Sequence, residues 1–354
     1  MAFGCLKLPL DNFLIEDGLY IVCGLSNNQF TNEIYRLDLN TWIWAKLEPK
    51  GTKPLRSMAM TSWVSGNKLF IFGGYGNGLE HSIHYPESLE TIQYLGSYFC
   101  NNQLVYYDCQ QNSWNWPINY GIMPTPRCGQ CAFSVEGWYK KANISEMHYR
   151  SLAFVFGGID ANYVTLNDLY FLDIETMNWK VLPKHTSDMW PEDRYLHSLT
   201  LISKKDAVLF GGCKYQGEKL MRGCWLLNIE ECISNGKKED IWTRCKHHEI
   251  SERFGHKAVQ EPSSQRVWII GGFNDGLYQH ADHIKELTFT APPLKALSLE
   301  SAAKHFEKLG PEIRELPKNN VLRHAIESKV QYYLKVNIPA IYSRYNKCSF
   351  CIQK

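Results

Sequence analysis

The stretch Leu69-Phe-Ile-Phe-Gly-Gly74 is a short apolar run that ends in a glycine pair, and similar runs recur along the chain. The copies are Ala153-Phe-Val-Phe-Gly-Gly158, Val208-Leu-Phe-Gly-Gly212 and Val267-Trp-Ile-Ile-Gly-Gly272, with a degenerate version at Leu19-Tyr-Ile-Val-Cys-Gly24. Apolar runs of this length, bounded by glycine, are typical of buried β-strands. The recurrence predicts a chain built from repeated β units.

Three further strands accompany each glycine pair and complete the repeated unit. An alternating strand such as residues 167–173 follows the glycines, and a strand that carries tryptophan comes next. The tryptophans are Trp42, Trp44, Trp114, Trp116 and Trp242. A fourth strand precedes each glycine strand and opens with Arg56, Arg127, Arg194 or Arg253. Four short strands joined by turns predict one propeller blade per unit.

The residue types suit the packing of one blade against the next. Glycine has no Cβ, so two backbones can approach closely where it occurs. A tryptophan ring is large and flat enough to fill the wedge between neighbouring blades. Because strand residues alternate between two faces, each blade presents apolar side chains to both neighbours and depends on them for its core.

These glycine pairs, in phase with tryptophans and separated by 50, 84, 54 and 60 residues, resemble the kelch repeat family. The resemblance implies an all-β kelch β-propeller over residues 1–291. Five copies are visible, whereas the family usually closes its ring with six blades. Either the ring closes with five blades or the sequence is a shortened form.

The remaining residues, 292–354, lose the repeat and show helix-type apolar spacing, which predicts a short α-helical tail. Pro293-Leu-Lys-Ala-Leu-Ser-Leu-Glu-Ser-Ala302 and then Leu316-Pro-Lys-Asn319 resemble the tails of kelch substrate receptors of cullin-RING ubiquitin ligases. That resemblance implies contacts to elongin and a cullin, and the residues concerned are Leu297, Leu299, Ala303, Leu316 and Pro317. The alternative is a helix pair that packs on the side of the propeller.

A peptide-binding site is expected where the inner strands open around the channel. The predicted ligand-binding residues are Arg56, Ser57, Tyr75, Arg127, Tyr163, Arg194, Tyr195, Arg253 and Phe254. The arginines could grip an acidic or C-terminal peptide, or they could bond turn carbonyls inside each blade. The residues beside them vary between units, and variation within a repeat can carry specificity. Ile159 and Thr165 stand where related receptors have two arginines that bind a terminal carboxylate.

Composition and motifs narrow the range of possible functions. A net charge of +2 gives no general attraction to nucleic acid, and no apolar run is long enough to span a bilayer. The first residues lack a secretory pattern, so a cytoplasmic or nuclear protein is expected. No phosphate loop, nucleophile elbow or carboxylate pair predicts an enzyme or a cofactor.

Three residue sets could bind metal, and none is predicted to do so. Cys348 and Cys351 form a pair in the basic tail with no histidine nearby. Cys128 and Cys131 lie three apart in a strand and should point to opposite faces. His280, Asp282 and His283 share a polar loop. The functions left open are a ligase substrate receptor that binds a protein or peptide, a kelch scaffold without a ligase role and, last, an enzyme that uses a loop metal.

Overall fold

The computed structural model describes residues 2–6, 18–80, 83–142, 146–184, 189–215, 219–233, 241–245, 252–261, 266–274, 281 and 284–289. They are almost all β, with one short helix, α1 (Ile229–Ile233), among them. The chain divides into two compact units, one of residues 1–258 and 271–281 and the other of residues 259–270 and 282–354. No helix in the described ranges is long and apolar enough to cross a membrane. The predicted helical tail, residues 292–354, lies outside them.

The first two repeats each form a four-stranded antiparallel sheet, and an additional small sheet accompanies the second. The first sheet has the order β1 (Ala2–Leu6), β2 (Gly18–Ser26), β3 (Gln29–Asp38), β4 (Trp44–Leu47). The second has the order β6 (Thr61–Ser65), β7 (Lys68–Phe72), β11 (Leu104–Asp108), β12 (Ser113–Asn115). The small sheet has the order β5 (Ser57–Met58), β8 (Tyr75–Gly76), β10 (Tyr98–Asn101), β9 (Thr91–Leu95), and most of it comes from the long insertion after Gly74.

The later repeats follow the same plan. The third contains β13 (Tyr120–Gly121), β14 (Arg127–Cys128), β15 (Cys131–Ala142), β16 (Glu146–Asp160), β17 (Thr165–Asp173) and β18 (Asn178–Leu182). The fourth contains β19 (Ser198–Leu201), β20 (Asp206–Phe210), β21 (Cys224–Asn228) and β22 (Trp242–Arg244). The fifth has the order β23 (Lys257–Gln260), β24 (Arg266–Ile270), β25 (Lys285–Thr288). Each of the five repeat copies read from the sequence therefore has a sheet among the described residues.

Alternation along the glycine strands divides the core into layers between blades. On β7, Leu69 and Ile71 pack with Tyr20 of the first blade, whereas Phe70 and Phe72 pack in a cluster with Trp179 of the third. A strand points successive side chains to opposite faces, so one buried strand supplies apolar side chains to two interfaces. This is why the glycine strands are apolar at every position rather than at alternate ones.

The glycine pairs allow the close approach that their recurrence predicts. Gly157 has a φ of +63°, and a Cβ on it would lie 2.7 Å from the carbonyl oxygen of Arg194 and 3.0 Å from Cε1 of His197. The second glycine, Gly158, donates its backbone N–H to the same Arg194 carbonyl at 3.0 Å. Both the conformation and the crowding exclude a side chain here. The predicted reason for the glycine pairs is confirmed at this pair, whereas a Cβ on Gly271 would meet nothing within 4 Å and only its φ of +67° favours glycine.

The tryptophans fill inter-blade wedges in the later blades but not in the first. The ring of Trp179 lies 5.3 Å from that of Phe72 in the preceding blade, and Trp242 lies 5.2 Å from Phe156 in the same way. By contrast, Trp42 is 72% exposed and Trp44 is 47% exposed. The prediction that these two fill a wedge was wrong. Trp42 lies in the turn before β4, and Trp44, which holds the place of Trp179, has no preceding glycine strand among the described residues to pack against.

Candidate functional site

The turns that open the inner strands lie beside the residues that follow the glycine pairs. The backbone pairs are Met58 with Tyr75, Cys128 with Ile159, Tyr195 with Cys213, and Phe254 with Phe273. They occupy equivalent places in successive blades, at the end where the glycine strands terminate. Backbone hydrogen bonds link the turns from blade to blade, since Gly129 donates to Ala59 at 2.7 Å and Leu196 donates to Gly129 at 2.8 Å.

Four tyrosines from three blades form a continuous row at this end, which we call the tyrosine row: Tyr75, Tyr94, Tyr163 and Tyr215. Successive ring centroids are 5.2, 5.0 and 4.8 Å apart. The hydroxyl of Tyr163 also donates to the backbone carbonyl of Tyr94 at 2.9 Å, which ties the third blade to the insertion of the second. The rings are partly buried and partly open to solvent.

Small apolar side chains pack against the buried side of the tyrosine row. Cys100, Cys128, Ile159 and Ala161 are buried there, and Tyr195 packs against the same cluster. Burial raises the pKa of Tyr94 and of Tyr75 above the usual value for a phenol. These phenols are therefore uncharged at neutral pH and offer hydroxyl groups that can donate hydrogen bonds.

Arg127 and Arg194 are buried, and their guanidinium groups bond to the protein itself. Arg127 forms a bidentate pair with Asp168 at 2.6 and 2.9 Å and donates from Nη1 to the Gly157 carbonyl at 3.2 Å. Arg194 donates from Nη1 to the Gly211 carbonyl at 3.0 Å. These contacts hold the turn against the glycine strand of the same blade. Direct contact of either side chain with a ligand remains a prediction.

The first copy of this motif is shifted by one residue from the predicted alignment. Ser57, not Arg56, occupies the place of Arg127: it is buried, and its hydroxyl donates to the Leu55 carbonyl two residues earlier, as Nε of Arg127 does to the Thr125 carbonyl. Arg56 is instead largely exposed and pairs with Glu80 at 3.1 Å. The alignment was wrong because Ser57 replaces the arginine that marks the other copies.

Gln103 compensates for the missing guanidinium in the second blade. Its Nε2 donates to the Ser57 hydroxyl at 3.0 Å and to the Gly73 carbonyl at 3.3 Å. Its Oε1 accepts from the backbone N–H of Leu55 at 2.9 Å. A serine and a glutamine thus make the bonds that a single arginine makes in the third and fourth blades. Sequence comparison within the repeat gave no signal for Gln103, because it lies 46 residues from its partner.

Ile159 and Thr165, the two positions that the family resemblance compares with carboxylate-binding arginines, are uncharged. Ile159 is fully buried, and Thr165 donates its hydroxyl to Asp193. Lys214 pairs with the same carboxylate at 2.9 Å. Burial alone would raise the pKa of Asp193, but the hydrogen bonds from Thr165 and Lys214 hold it below its usual value. Lys214 therefore already has a carboxylate partner in Asp193, as Arg127 has in Asp168.

The structure brings some predicted site residues together and separates others. Tyr75, Tyr163 and Tyr195 meet in one cluster. Phe254 is buried against Phe273, with ring centroids 5.3 Å apart, and Arg253 is buried beside it in the sequence. The row also contains Tyr94 and Tyr215, which sequence reasoning missed. Tyr94 lies on β9 in the insertion after Gly74, and Tyr215 lies shortly after Gly212. A tyrosine in the variable segment after each of these glycine pairs was the one available signal.

The other predicted sites are the elongin and cullin contacts and the possible metal ligands. The elongin and cullin residues Leu297, Leu299, Ala303, Leu316 and Pro317 lie outside the described residues, as do His280, Asp282 and His283. Within the described ranges, no three His, Cys, Asp or Glu side chains are close enough to hold a metal ion. Cys128 and Cys131 contact different clusters, the first beneath the tyrosine row and the second between the third and fourth blades.

Comparison with known protein families shows to which family this chain belongs. The KLHDC2/KLHL20/DRC7 Kelch-repeats domain matches residues 12–143 and 139–291, which is most of the chain. The chain belongs to this kelch family. The predicted fold class, an all-β kelch β-propeller, is confirmed by this match together with the five repeat sheets. Kelch domains of this type are generally protein-interaction scaffolds, and the absence of enzymatic activity remains a prediction.

Several curated proteins are similar to this kelch chain. Kelch domain-containing protein 2 of Bos taurus is 28% identical over 329 residues, covering 89% of this chain and 74% of that protein. Kelch domain-containing protein 1 of Mus musculus is 24% identical over 337 residues, covering 91% and 76%. Host cell factor 2 of Homo sapiens is 29% identical over 198 residues, which is 54% of this kelch chain and 22% of that protein.

Proposed function

We propose that this kelch chain is a substrate receptor of a cullin-RING ubiquitin ligase and that it binds a peptide segment of its substrate at the tyrosine row. The observation that carries the binding site is the convergence of Tyr75, Tyr94, Tyr163 and Tyr215 from three blades at one end of the repeats. The ligase connection rests on the resemblance of residues 293–302 and 316–319 to the tails of kelch receptors.

The chemistry of the tyrosine row suits a protein partner. Tyrosine provides a large, rigid contact surface with little conformational entropy to lose, and it is enriched in the energetically dominant parts of interfaces. The rings are already held in place by one another and by the Tyr163 to Tyr94 hydrogen bond. Such preorganisation reduces the entropy lost on binding.

The charges at the site favour an internal segment over a free C-terminus. A terminal carboxylate is best bound by a bidentate guanidinium, and Ile159 and Thr165 cannot provide one. Arg127 and Lys214 are already paired with Asp168 and Asp193. We therefore expect the ligand to insert apolar or aromatic side chains between the tyrosines and to gain little from a carboxylate.

A display library of random peptides, selected on the full chain, tests the binding site. We expect the selected peptides to lose at least about tenfold in affinity for Tyr163→Ala, a loss of about 1.4 kcal/mol. Tyr120→Ala is the matched control, since Tyr120 is exposed at the outer edge of the third blade and should leave affinity unchanged. Peptides whose affinity depends on a free C-terminal carboxylate, or is insensitive to Tyr163→Ala, would contradict this assignment.

Binding of purified elongin B and elongin C to the full chain tests the ligase connection separately. Leu299→Lys should abolish the interaction, because a lysine cannot enter an apolar groove without losing hydration of its charge. Ser298→Lys adds the same charge at a neighbouring polar position of the segment and should leave binding intact. If neither the wild-type chain nor the control binds, the ligase role is rejected and a kelch scaffold is the remaining function.

A further inference from the structure

Two cysteines face each other across the outer strands of the fourth blade. Cys224 begins β21, and Cys245 follows the last residue of β22. Since Trp225 pairs with Arg244 in the antiparallel register, Cys224 is the direct partner of Cys245. The backbone N–H of Cys245 donates to the Cys224 carbonyl at 3.0 Å, so the pairing continues one step beyond β22.

The backbone geometry of this pair is compatible with a disulfide. Hydrogen-bonded and non-hydrogen-bonded pairs alternate along an antiparallel ladder, and the pair Cys224 and Cys245 is of the hydrogen-bonded kind. The Cα atoms of such a pair are about 5.5 Å apart, within the range of about 4.4 to 6.8 Å that disulfides span. Directly opposed side chains also lie on the same face of a sheet.

The two thiols differ in access and in acidity. Cys224 is fully buried, whereas Cys245 is only partly buried. The thiol of Cys224 hydrogen-bonds that of Cys245, and this contact lowers the pKa of Cys245 below its usual value although burial opposes it. A partly accessible thiol that ionises readily is the reactive kind, and a buried thiol in contact with it can resolve the oxidised form.

We propose that Cys224 and Cys245 are a redox-sensitive pair that closes to a disulfide when the protein meets a hydroperoxide. The Cys245 thiolate attacks the hydroxyl oxygen of the peroxide and forms a sulfenic acid, and the other peroxide oxygen leaves as hydroxide from hydrogen peroxide or as alkoxide from an organic hydroperoxide, so the sulfur is oxidised and the O–O bond is reduced. The Cys224 thiol then attacks the sulfenic sulfur, its proton joins the departing hydroxyl as water, and the S–S bond forms. A thiol reductant returns both residues to thiols.

The disulfide would cross-link β22, a strand that contributes a contact between two blades, to β21. β22 begins at Trp242, whose ring is buried against Phe156 of the third blade. A cross-link between β21 and β22 would hold this strand in the sheet and limit its separation in the unfolded chain. Oxidation should therefore stabilise the contact between the third and fourth blades.

The chain contains its own matched control. Cys100 and Cys128 are also in thiol contact, but both are buried. The hydrogen bond from Cys100 and burial raise the pKa of Cys128 well above its usual value. At a peroxide dose that closes the first pair, Cys100 and Cys128 should stay reduced.

The test exposes the full chain to increasing hydrogen peroxide, blocks unreacted thiols and maps disulfides by mass spectrometry after digestion in acid. We expect a Cys224 to Cys245 cross-link at the lowest effective dose, reversal by dithiothreitol, and a rise in Tm of several degrees in the oxidised protein. Cys245→Ser should lose both the cross-link and the Tm shift.

Other results would overturn the proposal. They are a first cross-link elsewhere in the chain, oxidation of Cys245 to sulfinic acid without a bond to Cys224, or thiols that stay reduced at doses that oxidise methionine. The mapping on the wild-type protein decides between these outcomes even if Cys245→Ser folds poorly. None of them depends on the proposed ligase role.

Discussion

One residue position in each repeat supports the close packing of neighbouring blades. It is occupied by Gln130, His197 and His256 in the third, fourth and fifth repeats. Gln130 donates to the Phe72 carbonyl of the preceding blade at 2.8 Å, while His197 and His256 lie edge-on to the rings of Phe156 and Phe210. Each side chain covers the first glycine of the preceding pair. A recurring position with this packing has a role in the scaffold.

The buried histidine at this position should make stability depend on pH. Burial first, and then the positive charges of Arg194 and His256, hold the pKa of His197 well below its usual value of about 6.5. The unfolded chain therefore takes up a proton below that pH that the folded chain does not. The free energy of unfolding therefore has its full value above pH 6.5. As the pH falls below that value, proton uptake by the unfolded chain lowers it by up to about 1.4 kcal/mol per pH unit.

The variant His197→Gln tests this pH dependence. It introduces glutamine, the residue that the third repeat has at the equivalent position, Gln130. Its amide could bond the Phe156 carbonyl as Gln130 bonds that of Phe72. We expect the free energy of unfolding, measured by urea denaturation between pH 8 and pH 5, to fall less steeply in the variant. His256 is present in both proteins, so the difference isolates His197. Equal slopes would contradict the prediction.

At the scale of the element, the same tryptophan-bearing strand has two different environments. In β18, Trp179 is 1% exposed and joins the cluster between the second and third blades. In β4, Trp44 holds the equivalent place, since it pairs with Leu37 as Trp179 pairs with Leu172, yet it is 47% exposed, and Trp42 in the turn before β4 is 72% exposed. The neighbouring blade, not the strand itself, determines whether the ring is buried.

Replacing each tryptophan with alanine should separate these environments. Trp179→Ala should lower the free energy of unfolding by about 3 to 5 kcal/mol, because it removes a buried ring and leaves a cavity. Trp42→Ala should change it by less than about 0.5 kcal/mol. Denaturant titration followed by circular dichroism gives both values. A large loss for Trp42→Ala would mean that another part of the chain covers that ring.

The long insertion after Gly74 is the element that most affects the candidate site. Its strands β9 and β10 pair with each other, and β10 also pairs with β8, so they form a separate small sheet rather than a longer blade. This sheet places Tyr94 between Tyr75 and Tyr163. Without the insertion the row would be interrupted, so the loop that breaks the repeat spacing completes the proposed binding surface.

At the scale of the whole molecule, the first unit has a separate apolar layer between each pair of blades instead of one central core. Ile34 and Ile71 belong to the layer between the first and second blades. Ile229 belongs to the layer between the third and fourth. Repeat proteins of this kind gain stability from nearest-neighbour interfaces, so changes in different layers should act independently.

Combinations of conservative substitutions test this independence. Ile34→Val and Ile229→Val should each lower the free energy of unfolding by about 0.5 to 1.5 kcal/mol. Their effects should add to within about 0.5 kcal/mol, since they share no partners. Ile34→Val with Ile71→Val is the control pair within one layer and should deviate from additivity. Strong coupling between Ile34 and Ile229 would show that the layers are not independent.

Some properties of this protein follow from its sequence alone. The apolar runs with glycine pairs predict the strands, since a side chain there would clash with the next blade. The tryptophans recur at the same position within the repeats, and this predicts the blades, because the wedge between two blades needs a large ring at that position in each repeat. Local spacing and residue type are sufficient for these inferences, and the repetition of one pattern supports each copy.

Other properties were decided only by the tertiary structure, because they depend on residues far apart in the chain. Gln103 replaces an arginine across 46 residues, and this replacement hid the true alignment of Ser57. The tyrosine row joins loops of three blades whose spacing carries no common signal. Trp44 has the residue type and the strand position of a wedge yet remains half-exposed, because burial requires a neighbouring strand that no local sequence can supply.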